Sequence, residues 1–276
     1  MSIFLKRYQI PIFFVLTFII SWLPWYAMGK PNLLAWVPSL VGFVMVAVLA
    51  GKQGLLEWIR SALRWRVGIK WWIIAILGES LLMLATVALS MFLGNNPPQY
   101  SVFRTELWVL PLYFLIIVFF GSLGEELGWR GYALPQLQNK YSPLVSSVIL
   151  GFLWGLWHLP MFFNPDSDKY TQGLIFIIPF IGGCIGNSLI MTWLYNNTRG
   201  SSLVGGVILH ASLNFWTAVL LISNFSIMAA YKGEIVPRIA PMLYNFLEGW
   251  TILAGLVILL ITKGRLGLGD GVNKKT

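Results

Sequence analysis

Glu125 and Glu126 stand side by side at the end of an apolar run, in Gly121–Ser122–Leu123–Gly124–Glu125–Glu126–Leu127–Gly128–Trp129–Arg130–Gly131. On a helix, Glu126 and Arg130 are neighbours one turn apart and can form an ion pair. Glu125 then points about 100° away and has no partner on its own helix. A carboxylate left free in a low-dielectric cleft is suited to taking a proton, the work of a general base. The chain's 2 histidines also fall inside apolar runs. His158 lies in Trp154–Gly155–Leu156–Trp157–His158–Leu159–Pro160 and shares a helical face with Trp154. His210 and Asn214, one turn apart in His210–Ala211–Ser212–Leu213–Asn214, can both donate hydrogen bonds into a cavity. Each segment also has a plainer reading: a polar helix end in the headgroup region, a packed histidine, an interhelical clamp. Ionisable side chains are costly in a membrane and normally face a bundle interior or a wet cavity.

The elements that must position these residues are apolar helices. Of the 276 residues, 57% are hydrophobic and 11% charged, with a mean hydropathy of +0.74. An ordinary soluble domain carries about 25% charged residues. A membrane span needs about 20 mostly apolar residues. The apolar runs predict eight spans, at 9–28, 33–50, 71–93, 107–128 (extending as helix towards 139), 143–163, 172–195, 202–223 and 241–262. The expected fold is an all-α, polytopic membrane helix bundle. It is a single membrane domain over 1–276, with no separate soluble domain. The run from Ile10 to Tyr26 is long and aromatic for a signal peptide, so it reads as a retained first span. If the fourth and fifth helices turn near Tyr141, Glu125 and His158 lie nearly equally far from that turn. An antiparallel hairpin would then bring them to one height. Gly121, Gly124, Gly128 and Gly131 would let neighbouring helices approach closely.

The net charge of +9 comes from basic residues at the ends of the apolar runs. No long basic stretch exists to track phosphates, so nucleic acid is not an expected partner. Lys30, Arg104, Lys169, Lys232 and Arg238 fall on one side of the predicted bundle and the remaining Lys and Arg on the other. That asymmetry predicts both termini in the cytoplasm. Compactness and the lack of organelle signals point to a bacterial plasma membrane. Residues 54–66 are too short to span; their leucines and arginines on separate faces suit an interfacial helix on anionic lipid, or a solvated basic loop. Cys184, the 1 cysteine, lies among apolar neighbours and reads as a small hydrophobe. Glu248 receives no role.

Taken together, three segments resemble a known family. Glu125 to Arg130 (EELGWR) resembles the EExxxR motif of the CAAX-protease and bacteriocin-processing (CPBP, or Abi) intramembrane peptidases. Trp154 to His158 (WGLWH) resembles that family's FxxxH motif, with Trp154 where the family has Phe. His210 to Asn214 (HASLN) resembles its HxxxN motif. The motifs occur in the family's order within a peptidase-like core at about 107–220. The resemblance implies an eight-helix bundle with a membrane-embedded site that cleaves peptide bonds.

On that basis Glu125 is expected to act as general base, with His158 helping to hold and deprotonate a water. His210 and Asn214 would donate to the oxyanion. Glu126 and Arg130 would fix the helix and the charge on Glu125, and Trp154 would form an aromatic wall. A metal version would place zinc on Glu125, His158 and His210, with water in the fourth position. Against it, no HExxH is present and Asn214 is a poor ligand. The expected partners are membrane lipid and a hydrophobic or lipidated peptide or protein substrate. Two other classes are compatible with the same residues: a non-catalytic bacteriocin-immunity or scaffold protein of this fold, and a proton-coupled transporter.

Overall fold

The computed structural model describes residues 2–234 and 239–267. Arg238, Lys274 and Lys275, which entered the charge asymmetry, lie outside the described residues. Among the described residues every regular element is a helix. Eight are long and apolar enough to cross a membrane: α1 (Phe4–Met28), α2 (Val37–Ala62), α3 (Ile69–Phe92), α4 (Leu107–Gln138), α5 (Pro143–Phe163), α6 (Leu174–Asn197), α7 (Leu203–Leu221) and α8 (Pro241–Ile261). The chain is an integral, multi-pass, all-α membrane bundle. Its outer surface carries exposed side chains such as Phe120, Ile178 and Leu260, which suit lipid and not water. Its interior instead buries Glu79, Glu125, Glu126, Arg130 and His210.

The spans agree with the apolar runs to within a few residues, except in α1 and α2. Helix α1 starts earlier than expected, at Phe4. Helix α2 continues to Ala62, because Gly51 leaves helical geometry (φ 61, ψ −157) and the chain re-enters a helix behind it. Only glycine adopts that conformation without strain. The basic segment expected at 54–66 is thus mostly the second arm of a broken helix.

Contacts between connecting segments mark the two ends of the bundle. At one end, Gln99 N–H donates to Ser223 Oγ (3.0 Å), and Ser226 Oγ donates to Glu106 (2.6 Å). At the other end, Ser61 Oγ donates to the Gly200 carbonyl (2.6 Å) and Ser201 Oγ to that of Arg64 (2.6 Å).

Two helices depart from α geometry where the polar residues sit. In α4, π-helical turns at Val118–Ser122 and Trp129–Ala133 flank the α-helical turn Leu123–Gly128. Helix α7 opens with a π turn, Leu203–Ile208, directly before His210. Such turns take an extra residue and re-aim the side chains that follow. Two local causes act in α4. Pro135 has no N–H to return to the ladder. The Ser39 hydroxyl of α2 inserts at the turn Leu123–Gly128, donating to the Leu123 carbonyl (2.9 Å) and accepting from Gly128 N–H (3.1 Å). The insertion needs close packing: a Cβ at Gly128 would stand 2.3 Å from the Pro38 backbone, and one at Gly124 3.0 Å from the Ala35 carbonyl. Gly121, expected to serve the same purpose, faces open space.

Candidate functional site

Glu125 and Glu126 leave one turn of α4 in different directions and meet different partners. Glu126 accepts from Arg130 Nη1 on both oxygens (2.8 and 3.0 Å) and from His210 Nδ1 (2.9 Å). The ion pair with Arg130 is fully buried. Gly206 permits this approach of α7 to α4, since a Cβ there would lie 3.1 Å from Glu126 Oε2. Glu125 Oε2 accepts from the indole nitrogen of Trp154 on α5 (2.9 Å).

Trp154 is the hub of the aromatic packing. The Arg130 guanidinium lies over its ring, 4.9 Å from the centroid. The His210 and His158 rings pack edge-on against it at 5.3 and 5.7 Å. His158 caps the α-helical part of α5, where Pro160 helps turn the chain into a 3-10 segment, Leu159–Phe163. Its Nδ1 lies 2.9 Å from the Trp154 carbonyl. A carbonyl oxygen only accepts, so Nδ1 carries the proton, and in the neutral ring Nε2 keeps a lone pair. Phe180 and Trp157 also pack edge-on against the imidazole, at 5.3 and 4.9 Å.

Glu125, His158, His210 and Asn214 all line one cavity of about 820 Å³. Met28, Leu34, Met161 and Ile222 supply apolar wall, while Lys30, Asp166 and Lys169 belong to its loop-side rim. The cavity therefore opens at the end of the bundle away from the N-terminus. Asn214 is exposed to it, and among the described residues its amide has no hydrogen-bond partner. Together the polar groups supply a carboxylate, an imidazole lone pair and an uncommitted amide, a donor and acceptor set suited to hydrolysis.

Residues 106–216 match the family model described as "Type II CAAX prenyl endopeptidase Rce1-like". Over 243 residues the chain is also 24% identical to CAAX prenyl protease 2 of Methanococcus maripaludis, an alignment covering 79% of this chain and 87% of that protein. Both matches support the resemblance to the CPBP family. Every motif residue from Glu125 to Asn214 falls inside the matched segment. The tryptophan at the family's Phe position is more than a wall: an indole donates to Glu125, which a phenyl ring cannot do.

Among the described residues, no three His, Cys, Asp or Glu side chains group closely enough to hold a metal ion. His210 Nδ1 is bound to Glu126 and Glu125 Oε2 to Trp154.

Three polar residues near the site escaped the motif reading. Glu79 on α3 is 1% exposed, interacts electrostatically with His210, and has a buried Oε2 without a hydrogen-bond partner. Asn187 on α6 and Glu248 on α8 line a side chamber of about 120 Å³ that shares His158, His210 and Asn214 with the main cavity. The available signal was general: each is a polar residue inside an apolar span.

Proposed function

We propose that this chain is an intramembrane endopeptidase. It hydrolyses a membrane-associated peptide with a hydrophobic or lipidated tail, in a single membrane domain whose peptidase core spans about 107–220. The observation that carries this reading is the convergence of Glu125, His158, His210 and Asn214, from three different spans, on one cavity. A water between Glu125 and the His158 Nε2 lone pair finds two acceptors for its protons. Glu125 takes one as the water attacks the scissile carbonyl, and later delivers it to the leaving amine.

The tetrahedral oxyanion is met by donors from α7. Asn214 supplies its amide N–H. His210 already donates through Nδ1 to Glu126, so it donates through Nε2 only as an imidazolium. The Glu126 carboxylate in contact with Nδ1 stands against that charge. Arg130 neutralises Glu126 and leaves the carboxylate pair with one free base. The apolar wall gives the substrate tail a place to lie.

The family description and the name of the methanococcal relative support the reaction class. The charge asymmetry supports cytoplasmic termini, which would turn the cavity mouth to the outer face; compactness and the lack of organelle signals support a bacterial plasma membrane.

The test uses the full chain in liposomes with farnesylated and unmodified hydrophobic peptides, followed by mass spectrometry of the products. Cleavage that persists in chelator and is lost in Glu125→Gln supports the proposal. Turnover that needs added zinc, or that survives Glu125→Gln, overturns the mechanism. Solute flux without cleavage assigns the site to transport instead.

A further inference from the structure

Far from the cavity, α1 carries Pro11 within its helical interior. Proline has no N–H, so the carbonyl four residues back, that of Arg7, loses its helical donor. Lys140, in the α4–α5 turn, supplies a replacement: its Nζ donates to the Arg7 carbonyl at 3.4 Å. An ammonium has three donors, and among the described residues Lys140 uses its side chain for no other hydrogen bond or ion pair. Arg7 and Lys140 are both exposed, and both line one crevice at this end of the bundle.

Beside them opens a crevice of about 350 Å³ between α1, the end of α4 and α5. Phe14, Ile149 and Leu153 form its apolar walls, and Arg7, Lys140 and Tyr141 form its rim. No acidic residue is among those lining it. We propose that this crevice binds one anionic phospholipid. The headgroup phosphate sits between Arg7 and Lys140, and an acyl chain runs along Phe14, Ile149 and Leu153.

Charge complementarity selects the occupant. Two cations without a carboxylate favour a lipid of net negative charge over a zwitterionic one, whose own cation would meet them. Tyr141 stands where aromatic residues mark the headgroup level. The site is distinct from the peptide cavity, because Arg7 and Met28 lie ~30 Å apart along α1. The crevice joins α1 to the α4–α5 hairpin, so the lipid would brace the two helices that carry Glu125 and His158.

Native mass spectrometry of the full chain in mild detergent, titrated separately with phosphatidylglycerol and phosphatidylcholine, tests this. One phosphatidylglycerol is expected to be retained at about tenfold lower concentration than phosphatidylcholine. The double variant Arg7→Gln/Lys140→Gln should lose that preference. Leu153→Trp, which fills the crevice and keeps both charges, should lose retention. Arg60→Gln/Arg66→Gln, at the same end but outside the crevice, should retain the lipid as the wild-type chain does. Equal retention of the two lipids, a preference that survives the Arg7/Lys140 change, retention intact in Leu153→Trp, or equal loss in the Arg60/Arg66 variant overturns the site. The Arg7/Lys140 pair alters only exposed side chains, so it decides the matter even if Leu153→Trp does not fold.

Discussion

The indole nitrogen of Trp154 donates a 2.9 Å hydrogen bond to Oε2 of Glu125 while the same ring lies beneath the guanidinium of Arg130. One side chain thus orients the proposed base and covers the cation that neutralises the neighbouring carboxylate. A hydrogen bond to a charged group contributes about 1.5–3 kcal/mol. Trp154→Phe restores the family's usual residue at this position but removes that donor. Turnover should fall by about 10- to 100-fold, with KM little changed, as measured by initial rates of peptide cleavage. An unchanged rate would leave the tryptophan as packing alone.

Asn214 presents an amide to the cavity with no partner among the described residues. As an oxyanion donor it acts in the transition state and not on the bound substrate. Asn214→Ala should therefore lower kcat by about 10²–10³, while Asn214→Gln or a pure KM effect would not reproduce that loss. Steady-state kinetics on both variants separates the cases.

Arg130 and Glu126 form a fully buried pair, and removing one member leaves the other uncompensated. Arg130→Met should destabilise the bundle by about 3–5 kcal/mol, read from unfolding in detergent. Arg130→Met/Glu126→Gln should recover much of that loss, since no lone charge then remains inside. A double variant as unstable as Arg130→Met would contradict the pairing.

Cytoplasmic termini make a distinct prediction about two exposed residues, Lys52, just past the Gly51 break in α2, and Lys30, in the loop before that helix. In a background with Cys184→Ala, a membrane-impermeant maleimide should label Lys30→Cys in intact cells. Lys52→Cys should be labelled only after lysis. The reverse pattern would turn the cavity mouth to the cytoplasm and change the class of peptide that can reach it.

Much of this architecture was legible because membrane spans announce themselves by length and apolarity. The eight runs and the three motif segments could be placed without coordinates, and the Glu126–Arg130 spacing already implied a pair. What the sequence hid arises from backbone irregularity and cross-helix contact. No pattern marked the π turns on either side of Glu125, which depend on Ser39 of another helix reaching into α4. Glu79 carried no motif, and its nearness to His210 exists only once α3 packs on α7. Gly51 looked like any glycine in an apolar run, yet it breaks α2 and redirects the basic arm behind it.

Hydrolysis itself tests the central claim most directly. The full chain in liposomes is given a farnesylated hydrophobic peptide in water enriched with heavy oxygen, and the products are weighed. The account predicts a new carboxyl terminus carrying solvent oxygen with the wild-type chain, and none with Glu125→Gln or His158→Ala. Equal labelled product from those variants, or no product from a folded wild-type chain across prenylated and unmodified peptides, would contradict it.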